Sequence, residues 1–166
     1  MHTRLLFAAL IALLITACTT YKPPVKRELK TERLYEKSYD QVWNNVIDWF
    51  AKNNIPIKTL DKSSGLIATE FNLRNNIKES CDCGTSGFGV NVSPNIIGNF
   101  NVLIRRVEAS TGAQTATESI RVNVSAFYKT KLTTSSFTQG VPDQVSDTDC
   151  ESTGHLETAI LDQAGR

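Results

Sequence analysis

The chain has 166 residues, of which 40% are hydrophobic, 21% charged and 8% aromatic. This is ordinary globular composition, and it excludes a generally disordered chain, a collagen-like repeat and a multi-span membrane protein. Eighteen basic against 17 acidic groups give a formal charge of +1, and there are only two histidines. No field for nucleic acid is implied, and little material is present for a metal centre or general-base chemistry.

Arg4 precedes an uncharged apolar run from Leu5 to Ile15, 11 residues long. A bilayer-spanning helix needs about 20 apolar residues, whereas a signal-peptide core needs about 7 to 15 behind a positive charge. The segment reads as a signal peptide. Its end, Ile15-Thr16-Ala17-Cys18, resembles the bacterial lipobox: an aliphatic residue, two small residues, then cysteine. That resemblance implies cleavage before Cys18 and acylation of its thiol and its new amine. Thr19 follows instead of Asp, which in the proteobacterial sorting pattern implies the outer membrane, with the domain facing the periplasm. One short acyl chain binds a membrane only reversibly; three on one cysteine would hold the protein there permanently.

From Thr19 to about Glu32, Pro23-Pro24 and the basic residues Lys22, Lys26, Arg27, Lys30 and Arg33 leave too few apolar residues for a core. This stretch reads as a tether. The expected organisation is a signal peptide over 1–17, a lipidated tether over 18–33 and a single domain over 34–166.

The domain opens with a short strand at Leu34-Tyr35. Val42, Val46, Trp49 and Phe50 then recur at the spacing of one helical face, widened by Trp43 and Ile47. Ser38 and Gln41 fit a capping box, and Asn53-Asn54 with Pro56 end the helix. Ile55 to Leu60 and Leu66 to Phe71 read as strands joined by the turn Asp61-Lys62-Ser63-Ser64-Gly65. Phe100 to Val107 and Ile120 to Tyr128 read as longer strands. In the second, Ile120, Val122, Val124, Ala126 and Tyr128 alternate with Arg121, Asn123, Ser125 and Phe127, the period of a sheet with one buried face. Lys131 to Phe137 adds a polar edge strand. Gly154 to Ala164 reads as a closing helix with Leu156, Ile160 and Leu161 as its apolar stripe. The order predicts an α+β fold: an antiparallel sheet of four to five strands, with the N-terminal and C-terminal helices packed on one face.

The stretch Tyr39-Asp40-Gln41-Val42-Trp43, Trp49-Phe50, Ile55-Pro56-Ile57 and Asp61-Lys62-Ser63-Ser64-Gly65-Leu66-Ile67 resembles the repeat unit of the BamC family. These are lipoproteins of the outer-membrane β-barrel assembly machinery. The resemblance covers roughly 36 residues, from about Tyr35 to Glu70. It implies a helix-grip fold, similar to one half of the TATA-box-binding protein, and an accessory role in an envelope assembly. The chain departs from the family in having one domain where BamC has two, and in lacking its long N-terminal segment.

The address implies an oxidising compartment, where a disulfide is expected among Cys81, Cys83 and Cys150. Cys81 with Cys83 would close a strained ring, so one of the two pairs with Cys150. Gly84 beside Cys83 frees the backbone, and the likeness to similar lipoproteins, which keep a Cys-Gly pair, favours Cys83–Cys150. Cys81, Cys83, Cys150 and His155 could instead offer four metal ligands, but oxidation competes for the thiolates and the Cys-x-x-Cys spacing of structural zinc sites is missing. No metal or other cofactor is expected. No nucleophile elbow is present, and Gly84, Gly87 and Gly89 are not followed by the Lys-Ser of a phosphate loop. No catalytic role is expected. Arg105, Arg106 and Arg121 either form a basic patch on the exposed sheet face or reflect ordinary polar alternation. Two long loops, 74–98 and 138–151, are the best candidates for contact with an envelope protein partner. The alternative is a small molecule or lipid held in the groove between sheet and C-terminal helix.

Overall fold

The computed structural model describes residues 21–70, 79–107 and 119–166. Its elements are β1 (Glu32–Tyr35), α1 (Tyr39–Lys52), β2 (Ile57–Asp61), β3 (Leu66–Thr69), β4 (Cys81–Asp82), β5 (Val90–Val92), β6 (Ile97–Val107), β7 (Ser119–Thr134), β8 (Gln144–Ser152) and α2 (His155–Ala164).

The helix α1 starts where its cap predicts: the Ser38 hydroxyl oxygen accepts from the Gln41 N–H at 3.3 Å. Asp40 in the first turn and Lys52 in the last suit the helix dipole. Val42, Trp43, Val46 and Phe50 are buried, with Ile47 and Trp49 packed at the margin.

The turn between β2 and β3 is held by one carboxylate. Asp61 accepts from the Ser63 N–H at 2.9 Å and from the hydroxyls of Ser63 and Ser64 at 2.6 and 2.7 Å. These bonds, the side-chain ones first, lower its pKa from 3.8 to about 2. A depressed carboxylate adds stability above its unfolded pKa and loses it as pH falls through the folded one. Acid titration should therefore show a loss between about pH 4 and 2 that Asp61→Asn does not show; identical acid profiles would overturn this. Gly65 completes the turn with φ at +74°, and a Cβ there would stand 1.9 Å from the Ile104 carbonyl oxygen. Only glycine fits so close to β6.

The sheet has the order β2-β3-β6-β7-β8-β4, and its described pairings are antiparallel. Its spine is β7. One edge of β7 pairs with β6 over Ser119–Lys129. On the other edge β1 meets Ile120–Asn123 and β8 meets Tyr128–Thr134, so these two strands lie end to end. On the first edge β5 extends the line of β6, against Leu132–Thr134. Alternation sends Ile120, Val122, Val124 and Tyr128 inward with Phe100, Val102 and Ile104 of β6. There α1 packs on β6, and α2 on β7 and α1, around a single core.

The architecture is α+β, with an antiparallel sheet and, among the described residues, two helices. Among the same residues the sheet has eight strands, not four to five. The extra strands lie in the two stretches read as loops: β4 and β5 are only two and three residues long. β8 is mostly exposed and polar on both faces, so it carries no alternation to detect. The edge strand expected over Lys131 to Phe137 is instead the end of β7, which runs on unbroken. Thr130 hides the continuity, because it is buried although polar; its hydroxyl lies 2.9 Å from the Ser93 carbonyl oxygen. Phe71, the expected end of β3, lies outside the described residues.

The tether reading also needs correction from residue 21 onward. Lys22 and Thr85 exchange backbone hydrogen bonds at 3.2 and 3.0 Å, and the Thr31 carbonyl accepts from the Val124 N–H at 2.8 Å. β1 begins at Glu32. Hydrogen bonding, not apolar burial, lays this segment on the domain, which is why composition did not reveal it. Cys18 and the segment over 1–17 lie outside the described residues.

Candidate interaction surface

Three places on the molecule could do chemical work. The first is the sheet face opposite the helices, which no described helix or strand covers. Leu34 pairs with Arg121, Arg121 with Arg105, Phe127 with Asn99 and Lys129 with Ile97. Directly paired residues share a face, so Leu34, Ile97 and Phe127, all exposed, stand with Arg105 and Arg121. Of the three arginines considered as a patch, Arg106 is not among them. It alternates to the other side, where its guanidinium lies 4.2 Å from the centre of the Tyr39 ring. Arg121 also lies 3.4 Å from the Glu32 carboxylate.

The second is the end of the sheet where the two long loops meet. Cys81 pairs with Ser152 and Asp82 with Glu151. The next antiparallel step puts Cys83 opposite Cys150, and these two are joined, with sulfurs 2.04 Å apart. Register thus resolves the alternatives: Cys81 is two residues out of step with Cys150. Cys81 is buried, and burial first, then the Asp82 charge, pushes its thiol up to about 11. It is unreactive. With Cys83 and Cys150 joined, the four-ligand set with His155 does not exist, and among the described residues no group of three or more His, Cys, Asp or Glu could hold a metal ion.

Beyond the bridge, Gly87 and Val90 exchange hydrogen bonds across a tight turn with Phe88 and Gly89 at its tip. Gly89 has φ at +73°, and its carbonyl accepts from the Ser135 N–H at 2.8 Å. That bond brings the two loops together. Phe88 and Phe137 stack with ring centres 5.3 Å apart, 67% and 75% exposed. Val141 and Val145 are exposed at the same end. Sequence reasoning located the loops but not the aromatic pair, whose partners are 49 positions apart.

The third is a groove of about 600 Å³ between Leu29 and Thr31, β7, β8 and the start of α2. It lies at Val124–Phe127, the stretch of β7 that registers with neither β1 nor β8. Tyr128 and Glu157 line it, 3% and 1% exposed, and neither the phenol oxygen nor Glu157 Oε2 has a hydrogen-bond partner. The Ser80 and Ser152 hydroxyls lie near Tyr128 without completing a bond. Burial, then the Glu157 charge, pushes the phenol pKa up. The signal for Glu157 was legible: it sits on the apolar stripe of α2 with Leu161 and Ala164. A buried hydroxyl without a partner costs about 1–3 kcal/mol. Tyr128→Phe should therefore leave stability unchanged or raise it by about 1 kcal/mol in urea unfolding; a clear loss would mean that the hydroxyl is bonded.

Comparison of the chain with protein-family models, with curated proteins and with solved structures finds no match.

Proposed function

We propose that the chain is a bacterial lipoprotein, anchored to the outer membrane through lipid on Cys18, that serves as a non-catalytic interaction module for an envelope protein partner. The observation that carries this reading is the sheet face that no described helix or strand covers. An antiparallel sheet with one helix-free face normally turns a polar surface to water. Here Leu34 is exposed beside Arg121 and Arg105 at one end of the face, and Ile97 and Phe127 are exposed about 20 Å along it beside Lys129, a mix of apolar and cationic groups suited to a protein surface. The resemblance over residues 35–70 to the BamC family supports a helix-grip fold and an accessory place in an outer-membrane assembly.

In-cell cross-linking of the lipidated protein, mild extraction and mass spectrometry test the reading. Envelope-machine subunits should be recovered, and Phe127→Asp should abolish their recovery while the protein still folds. Recovery of the protein alone would overturn it. A second reading, a small molecule or lipid bound in the groove between sheet and α2, is favoured by the unpartnered oxygens of Tyr128 and Glu157. Native mass spectrometry showing a bound small molecule, lost in Glu157→Gln, would establish that reading.

A further inference from the structure

We propose that the Phe88–Phe137 end of the domain is seated in the lipid bilayer, so that the protein is held to the membrane by a second contact besides its acyl chains. This rests on the reading of Cys18 as lipidated. The argument starts from where the described chain begins. Lys22 and Thr85 are bonded in both directions, and the Tyr21 hydroxyl donates to the Cys83 carbonyl at 3.0 Å. The bridge is antiparallel, so the chain passing back from Lys22 to Tyr21 runs in the direction from Thr85 to Ser86. That is the direction of the Phe88 turn. Cys18 precedes Tyr21 by three residues, which span at most about 10 Å. A lipid on Cys18 is therefore attached within about 10 Å of Tyr21, at the edge of the domain where the Phe88 turn begins.

What stands at this end is apolar. Phe88 sits at a turn tip and stacks on Phe137, and Val141, bonded to Thr138 beside Phe137, and Val145, opposite Thr133 at the end of β7, are exposed on the adjoining loop and strand. The groups are also held firmly, because Ser135 bonds Gly89, β5 pairs with β7 and the Cys83–Cys150 bridge lies just behind. A rigid apolar cluster presented to water marks a contact surface, and the boundary between headgroups and acyl chains takes up apolar faces to a depth of about 5–10 Å, as it does for amphipathic helices. The charges around this end are mixed: Lys131 pairs with Asp147, Asp143 accepts from the Ser136 N–H beside Phe137, and Lys22 pairs with Thr85. The contact is therefore apolar and independent of anionic lipid. Seated this way, the domain has a fixed orientation on the membrane.

The test replaces Phe88, Phe137 or, as control, the exposed Phe127 by the photoreactive benzoylphenylalanine in the full-length protein in cells. After irradiation, the labelled peptides are analysed by mass spectrometry. Positions 88 and 137 should carry lipid adducts and position 127 none. Protein adducts at 88 and 137 would make the cluster a protein-docking surface and overturn the proposal; no adduct at either would place it in water and do the same. The mass of the peptide beginning at Cys18 is read in the same sample. An unacylated Cys18 with lipid adducts at 88 and 137 would remove the anchor and leave the membrane contact standing. An acylated Cys18 without those adducts would do the reverse.

Discussion

Replacing Cys150 by serine should lower the unfolding free energy by about 4 kcal/mol under oxidising conditions. The bridge closes a loop of 67 residues, and the chain-entropy treatment assigns such a loop about that much. The local structure gives a second reason. β4 is two residues long and pairs only with β8, and the Lys22–Thr85 bridge depends on the same stretch of chain. Cys81 cannot take over, since it faces Ser152 and would need a two-residue slip of register. Cys83→Ser should match Cys150→Ser, and the double variant should be no worse than either, because all three lack the same bond. Cys81→Ser should keep the bridge and lose less. Chemical denaturation with and without reductant checks this: equal midpoints for the wild-type protein in both conditions would overturn it.

How far the chain could be read before folding depended on whether burial followed a period. α1 was legible because Val42, Val46 and Phe50 repeat on one face, and because Ser38 caps it. The first two-thirds of β7 were legible because Ile120, Val122 and Val124 alternate with polar residues. The remainder was not. Thr130 is buried by a hydrogen bond to Ser93 rather than by apolar contact, so its position reads as polar. β8 pairs along seven residues of β7 while presenting Ser, Asp and Thr to water on both sides, as exposed edge regions do. The segment from Tyr21 to Thr31 adheres through polar contacts, backbone bonds at Lys22 and Thr31 with the Tyr21 hydroxyl and Arg27, which follow no hydrophobic period. The same distinction holds for the candidate sites. Cys83 and Cys150 could be narrowed by residue chemistry, and strand register then chose between Cys81 and Cys83. Phe88 and Phe137 meet only because Gly89 and Ser135 bond across two loops, a contact that no local pattern encodes.

Phe100→Ala should cost about 4 kcal/mol, whereas Phe127→Ala should change stability by only about 0.5 kcal/mol. The two phenylalanines sit on neighbouring strands one register step apart, Phe100 opposite Ala126 and Phe127 opposite Asn99. They point to opposite faces. Phe100 is fully buried, with its ring centre 5.3 Å from that of Phe50 and 6.1 Å from that of Trp49. It thus holds α1 on β6, together with Arg106 over the Tyr39 ring. Its backbone is fixed as well: the Thr69 hydroxyl oxygen accepts from the Phe100 N–H at 3.0 Å, and the same hydroxyl lies 3.3 Å from the Phe100 carbonyl oxygen. A strand pinned in this way cannot collapse into the space left by the ring, and a cavity that cannot relax carries the upper part of the cost of truncation. Urea unfolding should show a lower midpoint for Phe100→Ala with an unchanged slope. A lower midpoint for Phe127→Ala than for Phe100→Ala would mean that the sheet faces are assigned the wrong way round, and the partner surface proposed on the Phe127 side would fall with that assignment; equal midpoints would mean that Phe100 is no more buried than Phe127 and would overturn it too.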